Sequence, residues 1–199
     1  MHGLINRSIQ CFIRDTYGHD MWETIGRDVG LGADGFEAML DYDDSLTHAV
    51  ITSAGELLKC EKTTFLEGLG TYLVSHPSCE AVRRLLRFGG RNFIEFLLSL
   101  DDLHDRAKLA LPDLDLPRLA TVEHASGSFS LFYRWDKPGF ASVVLGVVRA
   151  MADDYGALVL IELATGEKAS GDEESLTVDL LDARFSAGRK FDLAVRPTW

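Results

Sequence analysis

A chain of 199 residues with 46% apolar and 26% charged residues is long and apolar enough for one domain with a real core. Its net charge of −11 argues against nucleic acid as the main partner and disfavours anionic membrane surfaces, since both attract basic faces. No stretch nears the ~18 to 20 consecutive apolar residues of a membrane span. The start MHGLINRSIQCFIRD lacks the pattern of a secretory signal. Cys11, Cys60 and Cys79 form no CxxC pair, zinc pattern or CxxCH attachment, so a cytoplasmic chain with ordinary reduced thiols is expected.

In chain order, Ile5, Ile9, Phe12 and Ile13 recur at helical spacing and predict a helix near 3–15. Asp20, with Glu23 three residues on, reads as the N-cap of a second helix through Trp22, Ile25 and Val29. Gly30, Gly32 and Gly35 break it. Further helices are expected near 45–59, 61–75 and 80–88, then one continuous helix over roughly 90–110 that Pro112 and Pro117 terminate. Beyond Pro117 the period changes. Phe129, Leu131 and Tyr133 alternate in a strand over 128–133, and residues 138–152 return to helix. Residues 157–164 form a strand, GEKASGDEES is a solvated hairpin connection, and LTVDL and KFDLAV complete an antiparallel sheet. The expected class is α+β. A helical part over about 1–112 packs on a smaller mixed part over about 113–199, and the two fold as a single unit.

Among six histidines, His104 stands out in FIEFLLSLDDLHDRAKLALP. It falls four residues after Leu100 and seven after Leu97, on the apolar stripe of its helix, where an imidazole is costly unless hydrogen-bonded or ligated. The residues alone leave three readings. Asp101, His104 and Asp105 at i, i+3 and i+4 could hold a small metal ion, although no second histidine or HExxH pattern accompanies them. A catalytic His–Asp pair lacks any GxSxG or reactive cysteine beside it. A non-covalent haem needs an axial donor, an apolar enclosure and groups to meet two propionates. His104, the Phe- and Leu-rich helices, and Tyr133, Arg134 and Lys137 permit that.

Over nearly its whole length the chain resembles the haem–nitric oxide/oxygen-binding (H-NOX) family, which includes bacterial gas sensors and the haem domain of soluble guanylate cyclase. The resemblance is carried by MHGLIN, YGHDMWETI, FLEGLGTYLV, LLRFGGRNFIEFLLSLDDLHDRAKLALPDLDLPRL and FYRWDKPGFASVVLGVV. It implies the H-NOX fold, with haem b held non-covalently between the two parts. His104 is then the axial ligand of the iron and Pro117 the residue that presses on the porphyrin, with Leu100 beside them. The family's Tyr-x-Ser-x-Arg propionate signature falls on Tyr133, Trp135 and Lys137. Two of the three positions thus depart from it, and Arg134 is available to share the work. Lysine keeps the charge of arginine but loses its planar fork. The distal wall falls on Ile5, Ile9, Leu73, Val74, Phe140, Ser142 and Val143, without the tyrosine that members holding dioxygen use. The resemblance therefore implies a selective sensor of nitric oxide, taking carbon monoxide as well, rather than an oxygen carrier, and not an enzyme. Its signal would follow from release of His104 and pass to a separate histidine kinase or cyclic-di-GMP enzyme, since the chain has no kinase or cyclase motif of its own. A haem-free interaction module of the same fold is the alternative, and a small-metal enzyme a more distant one.

Overall fold

Capping and periodicity set the helical half of this computed structural model, which describes residues 1–32, 35–125, 127–137, 139–164 and 174–182. Helix α1 (Gly3–Tyr17) starts where the His2 side chain accepts the Leu4 N–H, and it buries Ile9, Phe12 and Ile13 along one face. Helix α2 (His19–Asp28) begins one residue before the expected cap. Gly18, at φ 98°, makes the turn, and Asp20 lies in the first turn, where its charge favours the helix dipole instead of capping it. Helix α3 (Asp44–Leu58) is capped by Asp43, whose carboxylate accepts the Ser45 N–H at 2.8 Å. Helix α4 (Lys62–Ser75) follows, then a 3-10 turn over Pro77–Cys79 and helix α5 (Glu80–Arg87).

The continuous helix expected over 90–110 is three pieces: α6 (Phe93–Leu98), a 3-10 turn over Ser99–Asp102, and α7 (Leu103–Ala110). Side-chain donors explain the break. Thr121 Oγ1 donates to the Leu97 carbonyl at 2.8 Å, and Arg106 Nη2 donates to the Ser99 carbonyl at 2.9 Å. Carbonyls held this way are pulled from the regular i to i+4 ladder, and the turn tightens.

The sheet holds β1 (Arg118–Ala125), β2 (Ser128–Arg134), β3 (Leu158–Ala164) and β4 (Glu174–Asp182) in the antiparallel order β1-β2-β4-β3. Strand β1 was not expected from the sequence; its outward residues Arg118, Ala120, Val122 and His124 are exposed, so it carries little hydrophobic signal. Helix α8 (Ala141–Tyr155) starts three residues later than expected and ends at Gly156, whose φ of 68° closes it. Of the expected hairpin connection, Glu174 and Ser175 belong to β4. Its remaining residues and KFDLAV lie outside the described residues.

The sheet turns Phe129, Leu131, Tyr133, Ile161, Leu176 and Val178 inward, where they join one apolar core with the helices. Each such fully buried side chain contributes ~1.5–3 kcal/mol. Helix α8 lies against α4 at backbone distance: a Cβ on Gly70 would collide with the Val143 carbonyl, and one on Gly146 with the Glu67 carbonyl. Asp154 at the end of α8 pairs with Arg83 and Arg87 of α5. Among the described residues no helix is long and apolar enough to cross a membrane.

Candidate functional site

His104 sits in the first turn of α7, and the 3-10 turn before it sets its direction. That turn is fastened to the sheet, since Asp101 Oδ1 accepts the Thr121 N–H at 2.7 Å. The His104 side chain is 5% exposed. Its Nδ1 lies 2.7 Å from the Leu116 carbonyl oxygen, which can only accept, so Nδ1–H is the donor and Nε2 carries the lone pair. Nε2 is buried with no hydrogen-bond partner. Buried polar atoms are rarely left this way, and the same arrangement, one ring nitrogen on a carbonyl and the other unused, is that of a metal-ligating histidine. A space of about 270 Å³ adjoins the ring, lined by His104, Asp115, Leu116, Arg118, Arg134, Trp135 and Asp136.

Strand β2 and the turn after it supply the mouth of this space. Tyr133 faces inward, its hydroxyl buried and without a partner. Burial first, then Glu174 and Asp136, push its pKa well above the ordinary phenol value, so it stays a neutral donor. Trp135 Nε1 donates to Asp115 Oδ2 at 2.8 Å, and the Trp135 ring meets Phe140 edge-on at 5.5 Å. Lys137 Nζ lies 3.2 Å from Asp136, 3.7 Å from Asp115 and 3.9 Å from Asp44. Burial opposes its charge, but Asp136, Asp44 and Asp115 outweigh that and raise its pKa. Asp44 is itself shared with the Met1 ammonium at 2.6 Å, which together with Lys137 holds its carboxyl below the usual range.

The remaining residues singled out from the sequence divide. Leu100 is buried one turn before His104, and Pro117, half-buried, directly follows the Leu116 that anchors the ring. Ile9, Phe140 and Ser142 are buried; Ile5, Leu73 and Val143 are half-buried against the core. Val74 lines a different cleft, of about 240 Å³, with Thr71, Ser75, Arg83 and Asp154. Arg134 is exposed but reaches the wall of the His104 space. The only tyrosine of α8, Tyr155, is its last residue and donates to the Gly90 carbonyl at 2.7 Å.

Asp101 is committed to Thr121, Asp105 is exposed, and among the described residues no group of three or more His, Cys, Asp or Glu could hold a metal ion. The i, i+3, i+4 spacing presumed a regular helix, and the 3-10 turn removes that premise. Sequence reasoning missed the Leu116 carbonyl, Asp115, Asp44 and Arg118. The parts of Leu116 and Asp115 depend on how the Pro112–Pro117 segment folds back, and only the repeated acids in PDLDLP hinted at it, while Asp44 meets Lys137 from the start of α3.

A sequence model of the family described as Haem-NO-binding matches residues 2–163. Among characterised relatives, the chain is 26% identical to soluble guanylate cyclase gcy-31 of Caenorhabditis elegans, over 82% of this chain and 23% of that protein. It is 22% identical to soluble guanylate cyclase 89Da of Drosophila melanogaster, over 79% of this chain and 24% of that protein. The chain thus spans about a quarter of the length of these relatives. Among solved structures it is similar to the Fe(II) unliganded H-NOX protein from K. algicida, at TM-score 0.76 and 18% identity over 98% of this chain and 100% of that one. It is also similar to the S. oneidensis H-NOX protein in its Fe(II)NO state, at TM-score 0.76 and 14% identity over 92% and 100%. With the family match covering most of its length and the fold shared, the chain belongs to the haem-NO-binding, or H-NOX, domain family.

Proposed function

We propose that this chain is a haem-based gas sensor that holds haem b non-covalently on His104 and responds to nitric oxide and carbon monoxide. The observation that carries the reading is the His104 ring, buried, with Nδ1–H spent on Leu116 O and the Nε2 lone pair unused. That donor fits an axial ligand of haem iron, and the Nδ1–H bond makes Nε2 a better one. Arg118 and Arg134 line the space as cations for carboxylates, and Tyr133 and Lys137, next to that lining in the chain, supply a neutral donor and a further cation. The space of about 270 Å³ is near the ~300 Å³ lower end of small-molecule pockets, so Asp115, Trp135 and Asp136 at its mouth must part for a porphyrin.

When bound, haem would supply a ferrous iron that takes a diatomic gas, with His104 Nε2 as the group that would hold it. The chain does the rest. In this reading Ile5, Ile9, Leu73, Phe140 and Val143, all buried in or packed against the core, would form an apolar wall, with Ser142 the one hydroxyl in that stretch of α8. Such a wall offers dioxygen little hydrogen bonding, which nitric oxide and carbon monoxide do not need; the tyrosine of α8 is spent elsewhere, on Gly90. His104 is coupled through Leu116 to the segment carrying Pro117, and through α7 to Arg106 and Ser99. Any change in what Nε2 holds is therefore passed to the loop and to the 3-10 turn, and so to the surface. The reading assigns output to a separate partner, a histidine kinase or a cyclic-di-GMP enzyme, with the chain itself not catalytic. One observation favours the alternative of a haem-free module: Lys137 and Trp135 are already held by the chain's own carboxylates.

The test is the visible spectrum of purified protein supplied with haem and reduced. A Soret band that shifts with nitric oxide and carbon monoxide and is unchanged by air is expected. No Soret band contradicts the reading, and a stable complex with dioxygen contradicts the gas selectivity.

A further inference from the structure

At the mouth of the His104 space two donors converge on one carboxylate. Asp115 Oδ2 accepts Trp135 Nε1–H at 2.8 Å and lies 3.7 Å from Lys137 Nζ. Asp136 also meets Lys137, at 3.2 Å, but Trp135 bonds to Asp115. Asp44, the third acid, is balanced by the Met1 ammonium. Trp135 and Lys137 are the two positions of the propionate signature at which this chain departs from the family pattern. Both departures are contacts of the same aspartate, which reaches them from the loop that also anchors His104 through Leu116.

We infer that Asp115 stands in for a ligand carboxylate, and that its displacement from Trp135 and Lys137 sets how tightly the site takes a carboxylate-bearing ligand. The inference rests on the haem reading above and deepens it. An incoming propionate competes with Asp115 for the tryptophan N–H and the ammonium and meets a like charge where it must sit. Asp115 is half-exposed, at 53% of its side chain, so the penalty is moderated by solvent and shrinks further in salt. Removing the charge while keeping an acceptor for Trp135 should therefore tighten haem by about fivefold to tenfold at low ionic strength, the scale of a single partly screened charge.

The experiment titrates haem and haem dimethyl ester, which has no free carboxylate, into the wild type, Asp115→Asn and Asp136→Asn, following the Soret band. Thermal unfolding of each haem-free protein verifies that the fold is kept. Asp115→Asn should bind haem more tightly than wild type and the dimethyl ester equally well. Asp136→Asn, which strips a charge from the same lysine but leaves Trp135 bonded, should tighten haem less. In ¹⁵N spectra of the haem-free protein, the Trp135 indole N–H, assigned with Trp135→Phe, should shift in Asp115→Asn and not in Asp136→Asn. If Asp115→Asn binds haem no better, or gains equally for haem and ester, the inference is overturned while the sensor reading stands. If no variant binds either porphyrin, both are overturned.

Discussion

With Nδ1–H donated to Leu116 at 2.7 Å, the His104 ring is fixed in one tautomer and turned so that its free lone pair lies inside the fold. That residue was legible in the sequence because an imidazole on an apolar stripe is costly and therefore conspicuous. Its anchor was not: a main-chain carbonyl twelve residues on has no side-chain signature. Asp15 and Tyr72 join α1 to α4 by a similar single contact, the Tyr72 hydroxyl donating to Asp15 Oδ2 at 2.7 Å. That bond, with Arg14 beside it, lowers the Asp15 pKa against the opposing effect of burial. A depressed carboxylate contributes stability that is present above its unfolded pKa of about 3.9 and is lost as pH falls through the lower folded value. Tyr72→Phe should therefore lower unfolding free energy by about 1 kcal/mol near neutral pH, the scale of a partly solvated hydrogen bond to a charge. Urea titrations should show the gap between the proteins narrowing below pH ~4. A gap that is constant with pH would contradict the assignment.

The elements themselves were mostly legible from period and punctuation, because one-faced burial writes the same 3.6 and 2.0 spacing that a reader counts. The failures came where contacts that leave no mark on the local period decide. Asp20 lost the cap to a glycine turn, and the helix through 99–102 was tightened by donors from Thr121 and Arg106. Helices α4 and α8 depend on Gly70 and Gly146, which allow their backbones to touch. Alanine has the better helix propensity by ~1 kcal/mol, but a methyl at Gly146 must push back the Glu67 carbonyl. Gly146→Ala is expected to destabilise by about 1 kcal/mol net in urea unfolding, because overpacking of roughly 2 kcal/mol exceeds the propensity gain. Gly70→Ala should behave likewise. The double variant should cost less than the sum, since the first substitution opens the crossing for the second. Stabilisation by either single change would show that the helices do not meet this closely.

At the scale of the molecule, an acidic chain of net charge −11 surrounds its candidate site with carboxylates as well as cations, and the site has to be read with both. The α+β arrangement puts β2, α7 and the Pro112–Pro117 segment around one buried imidazole. That convergence was not visible in the periodicity of any one segment and came instead from the resemblance of the whole pattern. The central claim, that His104 Nε2 is the protein's ligand for haem, is tested by titrating haem into the wild type and His104→Ala and recording the reduced visible spectra. The wild type should give a saturable histidine-ligated spectrum, and His104→Ala should give it only when imidazole is added to replace the missing side chain. The same spectrum from His104→Ala without imidazole would contradict the claim.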